Sequence, residues 1–131
     1  MIEKAISLRQ PWAELVASGQ KTLIGRTWRT HYRGPLIVVA STIQGVPYHF
    51  NESTTLDWSR IKASLRVTVC RVNLVDVIRP EPEARHRGLM HPLREEDKWL
   101  WRLEGAERVP CVTRRVGPRM YRVVSPEGDD G

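Results

Sequence analysis

Cysteine is scarce in this chain. Only Cys70 and Cys111 occur among 131 residues, too few for a disulfide framework, so a reducing compartment is the simplest expectation. Long apolar runs are missing too: none approaches the roughly 18–20 residues that span a bilayer. Residues 1–12 lack the charged, apolar and small-residue regions of a signal peptide. The sequence therefore predicts a cytoplasmic protein with no membrane partner. No CxxC pair and no helical HxxxH accompanies His86 and His91, which excludes a recognisable metal site. A Walker loop, a Rossmann glycine fingerprint and a G-x-S-x-G elbow are also missing, and no cofactor is expected. No internal repeat, low-complexity tract or interdomain linker breaks the chain.

What is present fits one compact domain over residues 1–131. The chain has a mass of 15.1 kDa and 40% hydrophobic residues, with five tryptophans, enough to bury a real core and too apolar for disorder. The net charge is +6 and the sequence pI about 9.9. Seventeen of the 21 basic residues are arginine, the side chain suited to bidentate phosphate recognition and ring stacking. An arginine-rich proteome gives the same composition, so basicity alone does not decide for nucleic acid.

The element pattern is mainly β. Residues 5–8 alternate as a short opening strand. Pro11 stands where a first helical position belongs, and Trp12, Leu15 and Val16 make one apolar stripe of a two-turn helix that Gly19 is placed to end. Residues 21–28 read as a strand in which Gly25 marks a bulge or a close backbone approach by a ligand. Residues 30–35 read as a turn, and residues 36–40 as a buried strand. Asp57 is placed to cap a short helix carrying Trp58 and Ile61. Residues 65–78 are the longest strand signal, with a phase shift near Arg71–Asn73 that marks a bulge or a bend. A loop over 79–93 precedes strands at 99–103, 109–116 and 120–124, with Gly117-Pro118 as the last turn. The core spans about residues 5–124, and the polar, acidic segment 125–131 reads as a frayed tail. One early helix and about six strands separated by Gly/Pro turns predict a small curled or barrel-like sheet with helices at its side.

The stretch from residue 19 to 41, GQKTLIGRTWRTHYRGPLIVVAS, carries Lys21, Arg26, Arg29 and Arg33 without a carboxylate, interleaved with Trp28, His31 and Tyr32. Cations punctuated by flat rings suit a ligand that bears phosphates and bases. Each has a bland reading beside it: Trp28 as core, Arg33 paired to a carboxylate, one of Lys21 and Arg26 a surface charge whose stem covers the sheet. Trp12 belongs to the apolar stripe, with its N–H edge a candidate ligand contact. Ser7 and Gln10 precede the helix N-terminus, where they touch a ligand or cap the helix.

The segments SLRQPWAELVASGQKTLIGRTWRTHYRGPLIVVAS, VTVCRVNLVDV and WLWRLEGAERVPCV…MYRV resemble the ASCH domain of the PUA-like superfamily. The most specific parts are Gln10-Pro11-Trp12-Ala13, the block Gly19-x-Lys21-x-x-Ile24-x-Arg26, and Trp28-Arg29-Thr30-x-Tyr32-Arg33-Gly34. The resemblance implies a PUA-like pseudo-barrel with flanking helices (an α+β, mainly β domain) and a basic cleft beside the Lys21–Arg26 strand. It also implies RNA or single-stranded nucleic acid, or a nucleotide-like ligand, as partner.

Some members of the family are amidohydrolases acting on acylated cytidine, with a lysine, a threonine and a glutamate, and at least one is a nuclease. The alternative reading is therefore a hydrolase of a modified nucleoside or of RNA. Here the chain departs from the pattern: Ile24 stands where the family has glutamate, or where the amidohydrolases have threonine, and it can neither attack a carbonyl nor move a proton. The remaining catalytic candidates are Lys21, Thr22, Asp76 at the end of the long strand, and Glu81 and Glu83 in the loop where those relatives carry their glutamate. The enzyme reading is the weaker one.

Overall fold

The computed structural model describes residues 2–43, 50, 54–84, 86–111 and 120–124. Eight elements follow in order: β1 (Ile2–Gln10), α1 (Trp12–Ala17), β2 (Leu23–Arg26), β3 (Gly34–Ile43), α2 (Trp58–Ala63), β4 (Thr68–Ile78), β5 (Trp99–Arg108) and β6 (Tyr121–Val124). The strands form one curled sheet in the order β2-β5-β4-β3-β1-β6, a half-barrel of the PUA-like kind. Only β1 and β3 run parallel among these neighbours. A parallel pair needs a long crossover, and α1 and β2 lie within that connection.

The main core fills the hollow of the curl. It gathers Ile6 from β1, Ile24 from β2, Leu36, Val38 and Ala40 from β3, Val72 and Leu74 from β4, and Trp101 and Leu103 from β5. Strand β3 has no exposed residue between Leu36 and Ala40, which is why that segment is continuously apolar instead of alternating. Among the described residues no helix is long and apolar enough to cross a membrane.

Helix α1 is buried all round, not along a single stripe. Val16, Ala13 and Ala17 pack into the main core, while Trp12 and Leu15 turn the other way onto Met90. Its one charged residue, Glu14, is 4% exposed and is matched by Arg108 of β5 through two bonds of 2.8 and 2.7 Å. Pro11 takes the cap position before the helix. The Gln10 side chain accepts a 2.9 Å bond from Glu14 N–H and so satisfies a donor of the first turn. Gly19, at φ +82°, follows the helix as expected. Asp57 caps α2 by accepting from Arg60 N–H at 3.1 Å, with Ile61 buried and Trp58 exposed.

Several boundaries differ from the sequence pattern. Strand β1 extends beyond residues 5–8 because β6 pairs its first half and β3 its second. Strand β2 is shorter than 21–28, since the N–H groups of Thr22 and Leu23 both donate to the Gly88 carbonyl, at 3.0 and 3.1 Å, in a separate loop. Residues 109–111 belong to no strand. The rest of the strand expected to residue 116, the turn at 117–118 and the tail at 125–131 lie outside the described residues.

The change of phase within β4 goes with Val69, the extra residue against β3, where Val38 pairs with Cys70 and Val39 with Thr68; the bulge opposite Arg71–Asn73 has its extra residue in β5. Asn73 pairs with Glu104 and Arg71 with Glu107, so Gly105 and Ala106 stand opposite Val72. Gly105 supplies the left-handed φ of +66° that such a bulge favours. A second irregularity lies in β4, where Leu74 pairs with Leu103 and Asp76 with Arg102, leaving Val75 as the extra residue. The inward-facing parity of β4 changes there: Val72 and Leu74 face the core before it, and Val77 packs against the core after it.

Candidate functional site

At one end of the curl a cleft of about 400 Å³ opens between five segments. Ser7, Leu8 and Arg9 of β1 form one wall with Ser41 of β3, while Trp12 comes from α1. Gly25 and Arg26 of β2 stand opposite, flanked by Arg94 and Glu96 from the loop before β5. The volume lies at the lower end of small-molecule sites, about 300–1,000 Å³, and suits a ligand of nucleotide size.

Arg26 is the centre of this arrangement. Its Nη2 donates to the Ser7 carbonyl at 2.8 Å and bridges the mouth of the curl. Its Nε is buried and has no hydrogen-bond partner among the described residues, an expensive condition for a donor on a cation. Burial, and next the nearby charge of Arg94, push the Arg26 pKa down to about 10. It stays a cation at neutral pH, and neither it nor Arg9 forms an ion pair among the described residues.

Arg94 is held differently. Asp97, 3% exposed, accepts from the Arg94 backbone N–H at 2.9 Å and from its guanidinium at 3.3 and 3.2 Å, while Glu96 lies 3.4 Å from Arg94 Nε. The carboxylate of Asp97 also lies flat against Gly25. The sequence suggests a bulge or a ligand's approach at position 25; the neighbour is instead Asp97, and β2 pairs with β5 in unbroken register there.

Lys21 does not stand on the cleft surface. It precedes β2 and is 3% exposed. Its Nζ donates to the Leu89 carbonyl and lies 5.0 Å from the Trp12 ring centroid. The loop beneath has an unusual backbone: Gly88 at φ +88° and Met90 at φ +71°. The second costs a non-glycine residue about 1–2 kcal/mol, offset by packing of Met90 on Trp12 and Leu15. His91 stacks edge-on against Trp12 at 5.0 Å, its Nδ1 donating to the Pro92 carbonyl at 2.9 Å. Burial, then the charge of Lys21, push the His91 pKa down to about 4.

The other sequence candidates scatter. Ser7 and Trp12 line the cleft with Arg26, whereas Gln10 is buried and spent on the helix. Trp28 packs edge-on against Trp101 at 4.8 Å and accepts the Trp101 indole N–H at its carbonyl, 3.3 Å away. Tyr32 donates to the Pro35 carbonyl at 2.5 Å and has Lys4 over its ring. Arg33 donates to the carbonyls of Thr30 and Tyr32, 2.9 Å each, and stands 3.9 Å from Asp76. His31 is exposed away from the cleft lining, and Arg29 lies over Trp99.

The catalytic candidates are not assembled around the cleft. Thr22, Asp76, Glu81 and Glu83 are absent from its lining. Thr22 turns its hydroxyl toward Gly88, and Asp76 accepts from the Val77 N–H at 2.9 Å. Ile24 is 1% exposed within the main core, so the family's acidic or nucleophilic position is apolar and inaccessible here. Among the described residues no group of three His, Cys, Asp or Glu side chains is placed to hold a metal ion.

Sequence reasoning overlooked Arg9, Ser41, Arg94 and Glu96. Arg9 carries a usable signal, two residues beyond Ser7 on one strand and hence on one face. Arg94 and Glu96 enter from a loop whose path no local pattern reveals. What the cleft offers chemically is charge, directed N–H donors and a ring, and no nucleophile beyond serine hydroxyls. No curated protein matches the chain. The ASCH domain model, however, matches residues 6–110, which takes in every residue that lines the cleft; the chain belongs to the ASCH domain family.

Proposed function

We propose that this protein binds RNA or single-stranded nucleic acid, seating one nucleotide in the cleft with a phosphate on Arg26 and Arg9. The observation that carries the reading is Arg26: a half-buried guanidinium with a buried Nε that has no partner among the described residues, lining a nucleotide-sized cleft. An oxyanion in the cleft would accept from the exposed part of the guanidinium and offset its charge. Membership of the ASCH family suggests a nucleic-acid or RNA-related role. The net charge of +6 and the arginine-rich composition agree with it.

Fluorescence anisotropy on short single-stranded RNA, matched DNA and duplexes, titrated with salt, tests the reading, with tryptophan quenching as a second signal from Trp12. The native protein is expected to bind a single strand with a steep salt slope. In Arg26→Gln the slope falls by about 0.7 and the affinity drops roughly fivefold at 0.1 M salt, the value of one single-strand phosphate contact. Unchanged affinity in a folded Arg26→Gln protein would rule out the cleft as the binding site.

A further inference from the structure

A second cationic cluster adjoins the cleft along the same face of the sheet. Trp99, at the start of β5, pairs with Arg26 of β2, and residues directly opposite in an antiparallel pair project to the same side. Two guanidiniums lie over the Trp99 ring: Arg79 at 4.9 Å and Arg29 at 5.3 Å from its centroid. Both arginines are exposed, and neither forms an ion pair among the described residues. Two like charges are thus held around one ring with no carboxylate between them.

The backbone is arranged to bring them there. Arg29 follows β2 in the chain by three residues. Arg79 would face the opposite side of the sheet if β4 alternated without a break. The extra residue at Val75 changes the parity, so that Val77 packs on the core and Arg79, two residues on, comes over Trp99. Bulges that re-aim one side chain are common beside functional sites. Attraction to the indole face orients each guanidinium while its N–H fork stays available to oxygen acceptors.

We infer that Arg29, Trp99 and Arg79 form a second nucleic-acid subsite, which takes the backbone of a single strand as it leaves the cleft past Arg26. The inference rests on the nucleic-acid reading of the cleft and makes it more specific: the ligand is an oligonucleotide, not a free nucleotide. Phosphates meet the two guanidinium forks, and a flanking base stacks on the outer plane of one of them. Trp99 holds the cations in place and contributes little contact area of its own.

A length series separates this subsite from the cleft. Binding of mono-, di-, tetra- and hexanucleotides of one RNA sequence is measured for the native protein, Arg29→Gln/Arg79→Gln and Arg26→Gln, with circular dichroism confirming each fold. Two additional phosphate contacts make the native hexanucleotide about 25-fold tighter than the mononucleotide at 0.1 M salt, with a salt slope steeper by about 1.4. In Arg29→Gln/Arg79→Gln that gain collapses to a few-fold, and Arg29→Lys/Arg79→Lys recovers only part of it. An undiminished gain in the double glutamine variant overturns the subsite and leaves the cleft reading intact. A collapsed gain together with full binding by Arg26→Gln keeps the subsite and overturns the cleft instead. Failure of every oligonucleotide to bind overturns both.

Discussion

The carboxylate of Asp97 occupies the space in which a side chain at position 25 would have to lie. A Cβ built on Gly25 falls 2.0 Å from Asp97 Oδ1 and 2.3 Å from its Cγ, far inside van der Waals contact. The glycine is required for room and not for φ, since Gly25 is not among the residues of positive φ. The same carboxylate fixes Arg94 at the lip of the cleft. One glycine in β2 thus admits an acid from 72 residues further along the chain, and that acid positions the cation Arg94.

Gly25→Ala is expected to destabilise the protein by about 1–3 kcal/mol, the ordinary cost of overpacking, and to release Arg94 from its position. Asp97→Ala alone leaves the Arg94 backbone donor without its acceptor and is destabilising as well. Combined with Gly25→Ala it should cost less than the sum of the two, because the clash has gone. Urea unfolding of the four proteins measures the coupling. Strict additivity would show that the two residues do not share that space.

His91 gives the fold a dependence on pH. Its pKa is pushed down to about 4 from 6.5, chiefly by burial and next by the charge of Lys21. The neutral ring is the form that the folded state accepts, so the unfolded chain binds the extra proton. The contribution is complete above about pH 6.5 and is lost as the pH falls from 6.5 toward 4, up to on the order of 3 kcal/mol. Carboxylates titrate in the same window, so the comparison that isolates the ring is native protein against His91→Gln. The stability of the variant should fall less steeply between those limits in urea titrations at stepped pH. Parallel curves would place the titration elsewhere.

The two thiols should separate cleanly. Cys70 is fully buried in β4, and burial above all pushes its pKa up to about 12, whereas Cys111 is exposed. Thiolate is the reactive form. A disulfide reagent at pH 8 should therefore consume one thiol per chain at once and the second only after denaturant is added, with Cys111→Ser abolishing the fast phase. Two fast equivalents in native protein would show that β4 opens readily.

The legibility of this chain follows from how local each cause is. The buried run of β3, the Asp57 cap and the change of phase in β4 show in adjacent residues, because hydrophobic period, cap chemistry and phase are short-range signals. The strand glycine at position 25 announced a close approach, yet nothing near it in sequence names Asp97 as its neighbour. The cluster of cations from Lys21 to Arg33 read as one surface. Lys21 instead lies against Trp12, Arg26 enters the cleft, Arg29 lies over Trp99, and Arg33 turns to its own loop carbonyls. Turns of the backbone between these residues send neighbours to different places. Arg9 and Arg94 arrive at the cleft through the curl of the sheet and the path of a loop, which pattern alone does not carry.

Lys21 and Arg26 make the sharpest contrast, since the family block holds both while the fold gives them different surroundings. The Lys21 amine donates to the Leu89 carbonyl beside the Trp12 ring and a neutral His91. Replacing the amine with an apolar end removes a buried charge but leaves the Leu89 carbonyl without this donor, at a cost of about 1–3 kcal/mol. Lys21→Met should therefore keep the fold but lower the melting temperature by several degrees. It should also raise the His91 pKa, because one of the charges opposing protonation has gone; an NMR titration of the ring reads this directly. Its single-strand affinity should stay within about twofold of native, whereas Arg26→Gln loses about fivefold. A folded Lys21→Met protein that loses as much affinity as Arg26→Gln would instead make Lys21 a direct ligand of the bound strand, reached by displacement of the Leu89 loop.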